Sequence, residues 1–500
     1  MKSLIVKYIL LLNLLPIITL AQSDHYWSQN FNVGSSLLSG AVVGGKAGVS
    51  AIYYNPAQIG HDSTLNFAFS VNLISLQFYN IKNFAGDGVD MYKFKLKLQP
   101  KFISYVYQPA KSNRLFVELS FLSRASDEVS FNVEHNATLD IIKRLDGEEN
   151  YTGTLVSNRR YNDYWVGAGV SYRLNNNWSL GTSLFLSLKS LDYIYNQSML
   201  AFQTADSIFV NGIQEPYYFA ESSYGERLKY WYLSLIPKFG LQYQSNNRAF
   251  GFGLNLTFPN IDIYGVAEID KKITRSNVHD DDMGNFTQDL VMLEEQRKLR
   301  ATLKDPFSVA IGFFLKSKDQ RSVGMISAEY FTEIPIYRIT NNLNPLTNSN
   351  DAVKTMFDGK DVMNFYYNAG AVTNVSLGFM QHFTKKFSLL GGFRTDFSSA
   401  SEIGDELEDN KPKTFKINTD KFHLTGGPYL QWERFNLFLG LQYTFSKVDN
   451  LEQIINFSEP VEYNPNSGES LQGVRDNTMR VNYNEISLFF GISYKIEGLK

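Results

Sequence analysis

Apolar and polar residues alternate along several segments of about ten residues in this chain. In FNLFLGLQY (435–443), every second residue is apolar and the residues between them are mostly small or polar. AFGFGLNLTF (249–258) and ISLFFGISY (486–494) repeat the pattern. A period of two predicts β-strands, because successive side chains of a strand point to opposite faces of the sheet.

Short polar segments separate pairs of these strands and predict tight turns. They are PAKSNR (109–114), NNN (175–177), QSNNR (244–248), KSKDQR (316–321), FTKK (383–386) and WER (432–434). One strand on each side of the six turns makes twelve strands. An opening strand (65–79) and a last strand (481–496) bring the number to fourteen, and single-chain bacterial barrels have even numbers of strands.

Alternation alone would also fit a soluble β-sandwich. However, successive turns lie roughly 50 to 70 residues apart, whereas strands of a sandwich recur every 8–12 residues or so. The spacing leaves room for two strands and a long, charged connection. These connections are predicted as extracellular loops near 127–158, 190–228, 265–300, 337–366, 401–420 and 448–479.

Composition supports an exported membrane barrel. Residues 1–21 have a basic start and an aliphatic run broken by Asn13 and Pro16, which is typical of a cleaved signal peptide rather than of a membrane anchor. The remaining chain carries no basic excess, so nothing indicates binding to nucleic acid. It has no cysteine, and 15% of its residues are aromatic. We therefore predict an all-β, fourteen-stranded antiparallel transmembrane barrel in the outer membrane, formed by residues 63–500.

A glycine-rich segment, NVGSSLLSGAVVGGKAGVSAIYYNPA (32–57), precedes the barrel. A barrel of this width is not filled by its own side chains, so residues 22–62 are predicted to form a hatch in the lumen. Tight bends and close backbone contacts are assigned to its glycines, which are Gly34, Gly40, Gly44, Gly45 and Gly48. The motif Asn55-Pro56-Ala57 is predicted to determine how the hatch joins the first strand.

This segment resembles the N-terminal hatch of the FadL-type outer-membrane transport family, whose glycine-rich leader ends in Asn-Pro-Ala. Bacteroidota-type relatives, including the secretion-system barrel PorV, often have the Tyr-Asn-Pro-Ala version found at residues 54–57. Gln58-Ile59 replaces the family's usual Gly-Leu. The resemblance implies a fourteen-stranded barrel that takes up hydrophobic molecules and releases them sideways through a gap in its wall.

Two prolines interrupt predicted strands that lead into short turns. They are Pro100 in LKLQPKFISYVY and Pro237 in LSLIPKFGLQY. Proline cannot donate a ladder hydrogen bond and usually marks a bulge or break in a sheet. Each proline is therefore a candidate border of a lateral gap, and a bulge without functional consequence is the alternative.

No catalytic group, metal site or cofactor site is predicted. The sequence His279-Asp280-Asp281-Asp282 lacks the full calcium-loop pattern and is interpreted as a solvated acidic loop. The segment Thr287–Leu303 favours either a short loop helix or a strand that extends above the membrane.

Two functions fit these patterns. The first is transport of hydrophobic, fatty-acid-like small molecules across the outer membrane, with membrane lipid and the ligand as partners. The second is a non-enzymatic structural or docking subunit of an outer-membrane secretion or assembly complex, with other outer-membrane proteins or lipoproteins as partners.

Overall fold

A computed structural model describes most of the chain, and the predicted signal peptide lies outside the described part. The described residues are 25–59, 66–109, 112–145, 147–204, 208–210, 213–215, 218–280, 285–341, 344–357, 362–400, 419–465 and 468–496.

Strands make up most of the described chain. They are β1 (Phe67–Lys82), β2 (Met91–Tyr107), β3 (Leu115–Leu139), β4 (Glu149–Arg173), β5 (Trp178–Gln203), β6 (Ile208–Val210), β7 (Ile213–Glu215), β8 (Phe219–Gln244), β9 (Phe250–Thr257), β10 (Ile261–Ser276), β11 (His279–Asp280), β12 (Asn285–Phe286), β13 (Leu290–Arg300), β14 (Ser308–Lys316), β15 (Ser322–Phe331), β16 (Ile334–Arg338), β17 (Tyr366–Ala369), β18 (Val372–His382), β19 (Phe387–Asp396), β20 (Lys421–Gln431), β21 (Phe435–Leu451), β22 (Val461–Tyr463), β23 (Ser470–Gln472) and β24 (Met479–Tyr494).

Within the described residues, fourteen of these strands form a closed antiparallel barrel. Their order around the ring is β1-β2-β3-β4-β5-β8-β9-β14-β15-β18-β19-β20-β21-β24, and β24 pairs with β1 to close it. The predicted fold class and strand number are therefore confirmed. The first and last strands pair from Phe67 opposite Tyr494, and this pairing closes the ring.

The alternation along each strand separates an apolar outer face from a polar inner face. In β21, the side chain of Leu441 is 57% exposed, whereas its neighbour Gln442 is 6% exposed. This arrangement inverts the pattern of a soluble protein, because the outer face of a membrane barrel meets lipid and its inner face meets the lumen. Exposed aromatic side chains such as Trp178 and Trp432 stand near the short turns, where a membrane interface is expected.

Several strands continue far beyond the membrane. β3, β4, β5 and β8 contain 25 or 26 residues each, whereas about 9–11 residues suffice for a crossing. The predictions of long loops near 127–158 and 190–228 were therefore wrong in large part, because paired strands occupy most of those residues. The segment Thr287–Leu303 likewise contains the strand β13, which pairs with β10.

The end of the barrel opposite the short turns is closed by its own connections. The helix α3 (Asp351–Phe357) and the small strand pairs β16–β17 and β22–β23 belong to this cap. Cap and upper strands share a continuous apolar cluster, which we call the upper core. Its fully buried aromatic members include Phe84, Phe131, Tyr151, Phe365 and Phe457.

The remaining helices of the described residues lie in the N-terminal segment. They are α1 (Val33–Leu37), α2 (Ala51–Tyr54) and the 3₁₀ turns Gly48–Ser50 and Pro56–Gln58. In the part of the chain that the structure describes, no helix has the length and apolar character needed to cross a membrane.

Candidate functional site

Residues 25–59, which we call the plug, lie inside the barrel near the short turns. The helix α1 contacts β19, β20, β21 and β24, and the turn Pro56–Gln58 contacts β4, β5 and β8 on the other side. Apolar plug residues pack into a cluster with inward-facing side chains of the wall. Those with almost no exposed surface include Phe31, Leu37, Leu38, Val42, Ile52 and Ile59.

Plug and wall approach each other closely enough for backbone to touch backbone. A Cβ atom added to Gly181 of β5 would lie 2.3 Å from the carbonyl carbon of Pro56. A Cβ atom on Gly44 would lie 2.5 Å from the backbone of Gly312 in β14. Since real Cβ atoms do not make such contacts, both positions require glycine.

The other predicted glycines have two kinds of surroundings. Gly40, Gly45 and Gly48 have positive φ angles of 78°, 153° and 59°, which side chains with a Cβ atom rarely adopt. A Cβ atom on Gly34 would lie 3.0 Å from the ring of Phe438 in β21.

The Asn55-Pro56-Ala57 motif connects the plug to three strands. The Asn55 amide nitrogen donates to the carbonyl oxygens of Val43 (3.1 Å) and Leu241 (3.0 Å), and its amide oxygen accepts from the Ala57 N–H (3.1 Å). The hydroxyls of Ser171 in β4 and Ser179 in β5 donate to the Ala57 carbonyl oxygen at 3.0 and 2.7 Å. The motif therefore attaches the plug to β4, β5 and β8.

A second set of contacts attaches the first residues of the plug. His25 Nδ1 lies 3.0 Å from the Asp396 carbonyl oxygen, and the Trp27 N–H donates to Asp396 Oδ1 at 2.9 Å. Trp27 Nε1 also donates to Glu329 Oε2 at 2.7 Å. Asp396 is fully buried, so the Trp27 N–H stabilises a carboxylate that has no contact with water.

A cavity of about 120 Å³ lies between the plug and the upper core. It adjoins β1, β2, β3, β20 and β24, and most of the side chains around it are polar or charged. Its cationic members are Lys97, Lys101, Arg159 and Lys421, and its carboxylates are Asp127 and Glu485. The family resemblance implies the uptake of hydrophobic molecules, whereas the lining at this position is mostly polar.

Both carboxylates of the cavity have donors within the wall. Asp127 Oδ2 accepts from Arg159 Nη1 at 2.5 Å. Glu485 accepts from the hydroxyls of Ser75, Tyr483 and Ser487.

The wall of the barrel is interrupted beside this cavity. β2 and β3 pair only from Phe102, opposite Leu122, toward the short turn. Beyond that point, residues 91–100 pair with β1, and residues 123–139 pair with β4. Pro100 lies next to the end of the ladder, where the β1–β2 register also shifts.

Side chains rather than backbone groups cross the interruption. The contacts are Gln99 Nε2 to Ser123 Oγ (2.6 Å), Lys97 Nζ to the Ser126 carbonyl oxygen, and Lys95 Nζ to Glu128 Oε2 (2.6 Å). On the outer face of the same stretch of β2, Phe94, Leu96 and Leu98 are 58%, 63% and 70% exposed. The interruption therefore has a polar inner side and an apolar outer side.

Pro237 has different surroundings. The ladder between β5 and β8 continues through it without a register shift, and the Pro237 carbonyl oxygen accepts from the Phe258 N–H at 2.9 Å. The wall has a second interruption. There, β9 pairs with β14, but β10, the next strand of the chain, pairs with β13 instead. The intervening residues 301–307 turn inward, and both carboxylate oxygens of Asp305 contact the buried Lys189 ammonium of β5.

Sequence reasoning did not select the charged residues of the cavity, although a signal was present. In KFKLKLQPK (93–101), lysine or glutamine occupies every second position, and apolar residues or proline stand between them. Such a strand places its amines on the lumen side when the apolar face meets lipid. Among the described residues, no group of three or more histidine, aspartate or glutamate side chains is arranged to hold a metal ion.

A closed antiparallel barrel with an apolar outer face and a plugged lumen defines a transmembrane β-barrel protein with an internal hatch. FadL-type outer-membrane proteins have this fold. A Pseudomonas aeruginosa FadL homologue superimposes with a TM-score of 0.52 at 12% identity, covering 94% of this chain and 99% of that protein. The P. putida toluene transporter TodX gives 0.51 at 11% identity, covering 93% and 99%.

The CymD monoaromatic hydrocarbon channel is similar to the same extent, with a TM-score of 0.50 at 10% identity and coverage of 94% and 98%. No protein-family profile and no curated protein matches the sequence. At these identities, the likeness establishes the fold.

Proposed function

We propose that the protein is an outer-membrane channel that passes small hydrophobic compounds from the barrel lumen to the lipid through the wall between β2 and β3. The observation that carries the proposal is the end of the β2–β3 ladder at Phe102, directly beside the cavity. The plug lies below the cavity and the upper core lies above it. A sideways path is therefore the shortest route from the cavity to lipid.

The physical properties of the interruption support this role. An unpaired strand edge in lipid is unfavourable unless its backbone groups find partners. Here, the Lys97 ammonium binds a backbone oxygen of β3. Long side chains of this kind rearrange more readily than a continuous ladder of backbone hydrogen bonds, so this stretch of wall is suited to transient opening. Pro100 contributes because it cannot donate a ladder hydrogen bond.

Two further considerations favour hydrophobic cargo. The exposed outer face of β2 would accept a compound that leaves into lipid, since transfer of apolar surface from water is favourable by about 25 cal/mol per Å². The toluene transporter and the monoaromatic hydrocarbon channel that share the fold are named for hydrophobic cargo. Fatty-acid-like compounds are a second cargo class within the same proposal.

The test is to close the wall covalently. The chain contains no cysteine, so the double variant Lys97→Cys/Ser126→Cys offers a single pair of thiols, one on each side of the interruption. A short bis-maleimide would link them. We expect the link to slow the uptake of N-phenyl-1-naphthylamine, a hydrophobic fluorescent probe, by about tenfold in cells that carry the protein in their outer membrane.

A matched control joins two strands that are already paired. Lys447 of β21 lies opposite Asn482 of β24, so linking Lys447→Cys/Asn482→Cys should leave probe uptake unchanged. Equal uptake before and after linking at 97 and 126 would contradict a lateral path. Neither the linked nor the unlinked protein would take up the probe if the protein has the docking function. In that case, it should purify in mild detergent at a fixed ratio with other barrels or lipoproteins.

A further inference from the structure

We infer that the lumenal cavity binds a ring-sized aromatic acid that carries a hydroxyl group, with the Lys101 ammonium as the counter-ion of its carboxylate. This inference rests on the proposed function, because the cavity lies on the proposed path, and it names the class of compound that binds there. The inferred ligand differs from a pure hydrocarbon in its charge and from a fatty acid in its size.

Lys101 provides the first argument. Its side chain points inward from β2 into the cavity and is only 5% exposed. The Nζ atom lies 4.7 Å from the ring centroid of Phe489, and no carboxylate among the described residues forms an ion pair with it. A buried ammonium without an anionic partner is unfavourable, so a ligand carboxylate would compensate its charge.

The other charges around the cavity strengthen this argument. The acids Asp127 and Glu485 already accept hydrogen bonds from the wall. Lys421 supplies a second ammonium, which lies 5.1 Å from the ring centroid of Tyr483 and forms no ion pair within the described chain. The cavity therefore presents positive charge to a ligand.

Unpaired acceptors indicate the hydroxyl group. The amide oxygens of Gln29, Asn72 and Gln99 line the cavity, are buried and have no hydrogen-bond donor in the described structure. Buried polar atoms without partners are uncommon in native proteins. A ligand hydroxyl would donate to one of them, whereas a hydrocarbon would leave all three unpaired.

Size and shape indicate a single ring. The cavity volume of about 120 Å³ is close to that of an engineered cavity of ~150 Å³ that holds one benzene molecule. The rings of Tyr79 and Tyr483 stand 4.8 Å apart at its wall, and Phe131 is also part of the lining. These flat apolar surfaces suit an aromatic ring, and a long alkyl chain would exceed the volume.

The experiment measures binding of 4-hydroxybenzoate to the full-length protein in an uncharged detergent by titration calorimetry. Three comparison probes test the charge, the ring and the size of the ligand: 4-hydroxybenzyl alcohol lacks the charge, D-glucuronate lacks the aromatic ring, and palmitate has a long chain. We expect 4-hydroxybenzoate to bind at least about tenfold more tightly than each of them. For the uncharged alcohol, a tenfold difference is the lower range of what a hydrogen bond to a charged group contributes.

The variants test Lys101 directly. Lys101→Met should weaken 4-hydroxybenzoate binding about tenfold, and Lys101→Arg should retain most of it. Lys238→Met is the matched control, because Lys238 is also buried and its Nζ lies 4.2 Å from the Tyr53 ring centroid, but it does not line this cavity. Heat-modifiable migration in gels verifies that each variant is a folded barrel.

Equal binding of the uncharged alcohol, the sugar acid or palmitate would overturn the inference, as would unchanged binding by Lys101→Met. If Lys101→Met does not fold, the comparison of probes on the unmodified protein still decides. Loss of N-phenyl-1-naphthylamine uptake on closing the wall, without any binding of 4-hydroxybenzoate, would reject this inference and leave the proposed function intact. If 4-hydroxybenzoate binds but linking residues 97 and 126 does not change probe uptake, the proposed lateral path is rejected and the ligand inference stands.

Discussion

The carbonyl oxygen of Val43 in the plug lies 1.9 Å from the position that a Cβ atom on Gly253 of β9 would occupy. The plug backbone therefore lies directly on the barrel wall, with no side chain between them. Close packing of this kind transmits any change of volume to both partners.

Substituting Gly253 should loosen the plug. We expect Gly253→Ala to destabilise the plugged barrel by about 1–3 kcal/mol, because overpacking forces a backbone shift. In planar lipid bilayers, the variant should show ion-conducting openings more often than the unmodified protein. Gly324→Ala is the control, since a Cβ atom at Gly324 would meet nothing within 4 Å; equal conductance of the two variants would contradict a wall-bound plug.

Asn55 should stabilise the plug through its side-chain amide. Asn55→Ala removes the donors to Val43 and Leu241 and the acceptor of the Ala57 N–H. We expect a loss of about 1–3 kcal/mol, because buried backbone groups are left without partners. The measurement is denaturant unfolding followed by tryptophan fluorescence, since Trp27 lies in the plug. Asn158→Ala, at an exposed position of β4, should change stability by less than about 0.5 kcal/mol.

Lys189 and Asp305 should behave as a coupled pair. Asp305→Asn leaves the buried Lys189 ammonium without its carboxylate, which we expect to cost about 3–5 kcal/mol. The double variant Lys189→Met/Asp305→Asn removes the charge as well and should recover most of that stability. A double-mutant cycle from unfolding curves measures the coupling, and purely additive effects would show that residues 301–307 are held by other contacts.

The free-energy cost of a charged side chain on the outer face should depend on its depth in the membrane. Leu441 stands near the middle of the apolar band on β21, so Leu441→Arg should cost about 2–4 kcal/mol in folding into phosphatidylcholine vesicles. Asn482 is exposed above the band on β24, and Asn482→Arg should cost about 0–1 kcal/mol. Equal costs of the two substitutions would contradict the placement of Leu441 inside the lipid and Asn482 outside it.

The strands and their number followed from the sequence because a period of two is a local property. Each strand needs only its own residues to present an apolar face to lipid, and the polar turns between them are equally local. The turn predicted at 244–248, for example, lies between the end of β8 at Gln244 and the start of β9 at Phe250.

The length of the strands could not be predicted from the sequence. Above the membrane, the outward positions of β4 and β5 carry polar side chains such as Arg160 and Asp192. Both faces of the strand then lose the contrast between apolar and polar residues, and the pattern resembles a loop. Pairing with neighbours, rather than alternation, keeps these residues in strands.

The sequence by itself determined a barrel of fourteen strands with a glycine-rich leader, because alternation and backbone freedom are properties of neighbouring residues. Only the tertiary structure decided that β2 leaves β3 at Phe102 and that Lys101 faces a cavity without an acidic partner. Those features depend on which strands meet and in what register. Strand pairing and register are determined jointly by residues far apart in the chain, because the ring must close.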